Sequence, residues 1–105
     1  MDETSSSIIE ILKKYILELN RFKINIEQAY LFGSFATGKQ QKWSDIDIAL
    51  VSNDFSGIDV LDAEKIARPT INIDYRISPI TFKPEDFSTD NMFVREILKE
   101  SIRIV

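Results

Sequence analysis

Gly33-Ser34-Phe35-Ala36-Thr37-Gly38-Lys39-Gln40-Gln41-Lys42-Trp43-Ser44-Asp45-Ile46-Asp47 is the stretch on which the reading of this chain turns. It holds a Gly-Ser pair and an Asp-x-Asp pair with ten residues between them. The first suits a tight turn where backbone amides reach phosphate, and Gly33 lets the backbone come close. The second belongs to a run, Trp43 to Val51, that reads as a strand. Side chains alternate across a strand, so Ile46, Ile48 and Leu50 share one face while Asp45, Asp47, Ala49 and Val51 share the other. Two carboxylates then point the same way, a set that can hold divalent cations over the phosphates. Alone, Gly-Ser is an ordinary turn and Asp-x-Asp a half-exposed strand; the signal lies in finding both at this spacing.

On the N-terminal side, Ser7-Ile8-Ile9-Glu10 fits a capping box, and Ile8, Leu12, Tyr15, Ile16 and Leu19 recur at helical spacing, which predicts an amphipathic helix over 7–20. Ile26 to Phe32 predicts a first strand ending at Gly33, and 34–40 a short helix. On the C-terminal side, Asn53 to Gly57 reads as a loop and Val60 to Ala67 as a helix stopped by Pro69. Ile71, Ile73, Tyr75 and Ile77 alternate with Asn72, Asp74 and Arg76, which predicts a third strand whose polar side offers a further carboxylate, Asp74. Ser78-Pro79 and Lys83-Pro84 punctuate the next stretch; a helix over 92–100 and a short strand over 102–105 close the chain.

The 105 residues, 44 % hydrophobic and 29 % charged, suit a single domain over 1–105 with one core. Thirteen Lys and Arg against seventeen Asp and Glu give a net charge of −4 with the basic residues dispersed, so no nucleic-acid groove is expected. Cysteine is absent, which excludes disulfides and thiolate metal sites, and histidine is absent too. Carboxylates and hard cations are the accessible catalytic equipment. No apolar run reaches membrane length, and Met1-Asp2-Glu3-Thr4-Ser5 is unlike a signal peptide, so the expectation is a cytoplasmic protein with no membrane partner.

These parts suit nucleotidyl transfer, in which a hydroxyl attacks the α-phosphorus of a nucleoside triphosphate in line and pyrophosphate leaves. Two cations about 4 Å apart lower the charge barrier of such a step. Asp45 and Asp47 are the candidate metal ligands. Asp74 completes the set if the third strand pairs with the second, and it is the candidate general base or the ligand nearest the acceptor hydroxyl. Gly33 and Ser34 are the nucleotide-binding candidates, with the amides at the following helix start. Lys39 and Lys42 are placed to assist with phosphate charge, although such lysines are more often solvated; Arg76 either contacts phosphate or balances Asp74. A domain this short leaves little room for an acceptor pocket, so the acceptor is expected on another molecule.

Gly33-Ser34, Asp45-Ile46-Asp47 and Asp74 resemble the active-site motifs of the minimal nucleotidyltransferase family, within the DNA polymerase beta superfamily. The likeness runs from the N-terminal helix to the segment Phe93-Val94-Arg95-Glu96-Ile97-Leu98-Lys99-Glu100. The resemblance implies an α/β fold with a small mixed sheet flanked by helices, Mg²⁺ (two ions) and ATP as substrate. It further implies a hetero-oligomer with a HEPN-domain toxin, in which the nucleotidyltransferase acts as antitoxin by transferring AMP to a tyrosine. Thr37 stands where many relatives carry arginine, and Ser101 where a glycine is common. Two other readings compete: a non-catalytic module of the same fold that masks the toxin, and a transferase acting on a small molecule of the aminoglycoside type.

Overall fold

The computed structural model describes residues 5–105. The acidic segment over 1–4, which weighed against a leader peptide, lies outside the described residues. Helix α1 (Ser5–Arg21) leads into strand β1 (Gln28–Phe32), a single-turn helix α2 (Ser34–Thr37) and strand β2 (Ile46–Val51). Helix α3 (Asp59–Ile73), strand β3 (Ile77–Phe82), a 3₁₀ turn (Pro84–Asp86), helix α4 (Met92–Lys99) and strand β4 (Ile102–Arg103) complete it. The sheet order is β3-β2-β1-β4. β1 runs antiparallel to both β2 and β4, while β2 and β3 are parallel, so the sheet is mixed. A parallel pair cannot be joined by a tight hairpin; α3 is the crossover that connects them.

Periodicity dictates which faces close on each other. Ile8, Leu12, Tyr15 and Leu19 form the buried stripe of α1, and they meet Leu31, Ile46, Ile48, Leu50 and Ile77 of the sheet together with Ile66 of α3. The opposite face carries a smaller cluster of Tyr30, Ala49 and Ile97, with Phe32, Phe82, Phe87 and Leu98 packed against it, and α4 covers it. Asn91 caps α4, its Oδ1 accepting from the amides of Phe93 (2.8 Å) and Val94 (3.3 Å).

The alternation of β2 is as expected: Ile46, Ile48 and Leu50 are fully buried on the α1–α3 side. Three expectations are corrected. Ser7 lies inside α1 and not at its cap, because the helix already starts at Ser5. Pro69 does not stop α3, which continues four residues beyond it to Ile73. Pro69 is buried, and Ile66, Pro69 and Ile73 recur at helical spacing on the packed side, so tertiary burial overrides the lost backbone hydrogen bond. The residues around it are tied to α1: Thr70 Oγ1 donates to the Ile66 carbonyl (2.7 Å) and lies 2.7 Å from the Tyr15 hydroxyl. Burial pushes the Tyr15 phenol up to about 12. Asn72 Nδ2 of the same helix donates to Glu18 Oε2 of α1 at 2.8 Å.

The third strand is therefore displaced along the chain. The alternating stretch 71–77 is not a strand: Ile71 and Tyr75 are 71 % and 87 % exposed, so their alternation never matched burial. The true strand begins at Ile77 and includes the Ser78-Pro79 pair that looked like punctuation. Pro79 is tolerated because β3 is an edge strand. Arg76 and Phe82 turn their carbonyls to β2, so by period two Pro79 faces outward, where a missing amide breaks no ladder bond.

Candidate active site

β1 and β2 are antiparallel neighbours, and their register sets Phe32, the last residue of β1, opposite Asp47. The chain must turn immediately after Phe32 to start α2. Gly33 makes that turn at φ 76°, ψ −153°, a region open in practice only to glycine. A Cβ built on Gly33 would lie 2.3 Å from Asp47 Oδ2 and 3.2 Å from its Cγ. The backbone of the Gly-Ser turn and the carboxylate of the Asp-x-Asp pair are thus in direct apposition, and no side chain fits between them.

Asp45 is exposed in the residue before β2; Asp47 is half-buried as its second residue. Burial pushes the Asp47 carboxyl above its ordinary value, and the charge of Asp45 pushes in the same direction. The pair is a compact set of hard oxygen donors, the chemistry that suits a divalent cation such as Mg²⁺. Ser34 opens α2 beside Gly33, and the amides of Ala36 and Thr37 are held by the Gly33 carbonyl at 3.1 and 3.2 Å. Gly38, at φ 76°, ends the turn of helix.

Asp74 is placed differently from the sequence expectation. It is the residue that ends α3, three positions before β3 begins, and not a strand residue beside Asp47. Its carboxylate accepts from the Arg76 amide (2.9 Å), Nε (3.1 Å) and Nη2 (2.8 Å), and its side chain is only 14 % exposed. The Arg76 hydrogen bonds hold Asp74 below the usual carboxylate range. Arg76 in turn accepts from the Ile46 amide with its carbonyl (2.9 Å), which fixes the start of the β2–β3 pair. Among the described residues, no three Asp, Glu, His or Cys side chains gather as a metal cage.

Two recesses flank the site. One of about 300 Å³ lies between the Gly33 turn and α4, lined by Phe32, Gly33, Thr37, Phe93, Glu96 and Lys99 among others. Lys99 pairs with Glu96 there at 3.2 Å. The other, of about 550 Å³ and wide open, is lined by Lys42, Ile71, Ile73, Asp74, Tyr75 and Arg76. Lys42 therefore belongs to the Asp74 side, with its Nζ 5.7 Å from the Trp43 ring centroid. The sequence offered no cue for the α4 residues Phe93, Glu96 and Lys99 near Gly33, since only the packing of α4 on the sheet brings them there. Nor did it single out Ser78, which the parallel register sets opposite Asp47 on the other side from Phe32.

A family model described as polymerase beta, nucleotidyltransferase, matches residues 6–105. The chain belongs to the polymerase beta nucleotidyltransferase family. No curated protein matches it by sequence. Among solved structures, this nucleotidyltransferase is similar to a candidate nucleotidyltransferase from Sulfolobus solfataricus, with 22 % identity and a TM-score of 0.65 over 94 % of this chain and 80 % of that one. It is also similar to a toxin–antitoxin solved with AMP-PNP (21 % identity, TM-score 0.57, 98 % of this chain and 73 % of that one). A mutant of the MntA–HpeT toxin–antitoxin gives 19 % identity and a TM-score of 0.55 over 98 % of this chain and 73 % of that one. At such identities the likeness establishes the shared fold: a mixed four-stranded sheet flanked by helices.

Proposed function

We propose that this nucleotidyltransferase binds ATP with Mg²⁺ at Gly33, Ser34, Asp45 and Asp47 and transfers AMP to a tyrosine of a partner HEPN-domain toxin, acting as its antitoxin. The observation that carries the reading is the apposition of the Gly33 backbone and the Asp47 carboxylate. Glycine lets the Asp47 carboxylate come up against the turn, so that phosphate bound at the turn's amides would share a cation held by Asp45 and Asp47. Mg²⁺, when bound, neutralises phosphate charge during in-line displacement. The tyrosine oxygen bonds to the α-phosphorus, the bond from that phosphorus to the bridging oxygen breaks, pyrophosphate leaves, and the phenolic proton passes to solvent. Support for a protein acceptor comes from the toxin–antitoxin neighbours, one of them solved with AMP-PNP.

The masking alternative has one observation in its favour: Asp74, the candidate general base, is engaged by Arg76 and held at a low pKa, which makes it a poor proton acceptor. Incubation of the toxin with this chain and ATP·Mg²⁺, followed by mass spectrometry, separates the readings. AMP transfer predicts added AMP on the toxin that is lost with Asp45→Ala or Asp47→Ala while the complex persists. An unmodified toxin, neutralised equally well by those variants, rejects transfer in favour of masking.

A further inference from the structure

Resting on the nucleotide site just proposed, the geometry points to a site that holds a single divalent cation, on Asp45 and Asp47, in which Ser78 takes the third position and Asp74 is a structural residue. Neighbouring strands run about 4.8 Å apart, so the residues opposite Asp47 in its two ladders are its closest neighbours on that face of the sheet. They are Phe32 on β1 and Ser78 on β3. Neither is an acid. The triphosphate supplies anionic oxygens to one cation; a second cation beside it needs a further anionic ligand from the protein to offset charge–charge repulsion, and β3 is the element that passes close enough to supply one. The residue it presents is a neutral hydroxyl, a poor ligand for a hard divalent ion that must shed water to bind.

Asp74 does not make up the deficit. It lies before β3 at the end of α3, and its carboxylate already receives three hydrogen bonds from Arg76 in a fork that neutralises its charge. Arg76 also anchors the first rung of the β2–β3 pair, so the Asp74–Arg76 pair positions the strand that carries Ser78. Freeing Asp74 to bind a cation would require breaking this arrangement.

The test is a Mn²⁺ titration followed by electron paramagnetic resonance, with AMP-PNP present, on the wild type, Ser78→Asp, Asp74→Asn and the double variant Asp45→Asn/Asp47→Asn; circular dichroism checks the fold of each. The expected stoichiometries are one bound Mn²⁺ per chain for wild type and Asp74→Asn, two for Ser78→Asp, and none for the double variant. Two ions in the wild type, falling to one in Asp74→Asn, would overturn the inference while leaving the nucleotide site standing. A folded Ser78→Asp that still takes one ion would overturn the assignment of Ser78. Wild type that binds no Mn²⁺ with AMP-PNP would bring down both the inference and the functional reading beneath it.

Discussion

At Gly33 two constraints act on one residue. Its φ of 76° with ψ −153° excludes other residues by backbone strain, and Asp47 Oδ2 occupies the space a Cβ would need. Gly33→Ala should lower stability by about 1–3 kcal/mol in chemical denaturation, from the strained dihedrals alone. It should also weaken AMP-PNP binding measured by calorimetry, since the methyl group displaces the carboxylate or the phosphate. The carboxylates themselves predict opposite pH behaviour. Asp74 has a lowered pKa, so its pairing stabilises the fold above the ordinary Asp value near 4 and the contribution disappears as pH falls through the lowered value. Asp47 has a raised pKa, so its ionisation opposes folding above that value and the penalty is relieved on acidification. Urea melts of the metal-free protein between about pH 6 and pH 2.5 should show a shallower acid loss for Asp74→Asn than for wild type. Asp47→Asn should leave stability at neutral pH unchanged or raised, within about 0.5 kcal/mol. A steep neutral-pH loss in Asp47→Asn would mean that its carboxylate supports the fold.

Among the elements, β2 carries core residues on one face and the candidate site on the other, and its two faces should respond differently. Ile48→Ala and Leu50→Ala open cavities in the α1–α3 core and should each cost about 2–5 kcal/mol, whereas substitutions at Asp45 or Asp47 leave the melt cooperative. Equilibrium unfolding of the variants checks this, and a silent Ile48→Ala would mean that the strand is set one residue out of register. The passage of α3 through Pro69 rests on its attachment to α1. Because the Thr70 hydroxyl gives its one proton to the Ile66 carbonyl, the Tyr15 hydroxyl is the donor between them. Tyr15→Phe is expected to cost about 1 kcal/mol in the same assay, the worth of one hydrogen bond with no packing lost.

Across the whole molecule the two layers are unequal. The α1–α3 side of the sheet packs the large cluster, and the α4 side a cluster of three buried residues with an aromatic fringe in which Phe87 stacks on Tyr30 (5.4 Å) and meets Phe82 edge-on (5.1 Å). Fewer buried apolar groups hold α4, so it should open at lower free energy than β2. Native-state hydrogen exchange is expected to show the amides of 94–99 exchanging well before those of 47–51. Equal protection of the two segments would mean that the layers open together. Since α4 lines one side of the Gly33 recess, such opening would widen the site without disturbing Asp45 or Asp47.

What the sequence determined by itself is local. The Gly33-Ser34 turn, the two acids at the start of β2, the apolar stripe of α1 and the existence of α4 come from spacing within a few residues, where periodicity and backbone preference act directly. Those features also suggested the family, which the match over residues 6–105 shows. The placement of α3, β3 and Asp74 was decided only in the tertiary structure. The alternation at 71–77 satisfied a strand pattern and Pro69 a stop signal, yet Pro69 is buried, Thr70 and Asn72 bond to α1, and the helix runs on to Ile73, which moves the strand to Ile77. Asp74, expected on that strand, is left at the end of α3, and the β3 residue opposite Asp47 is Ser78. Which side chains meet across a parallel pair depends on register, and register is fixed by packing between segments far apart in the chain, which no reading of neighbouring residues contains.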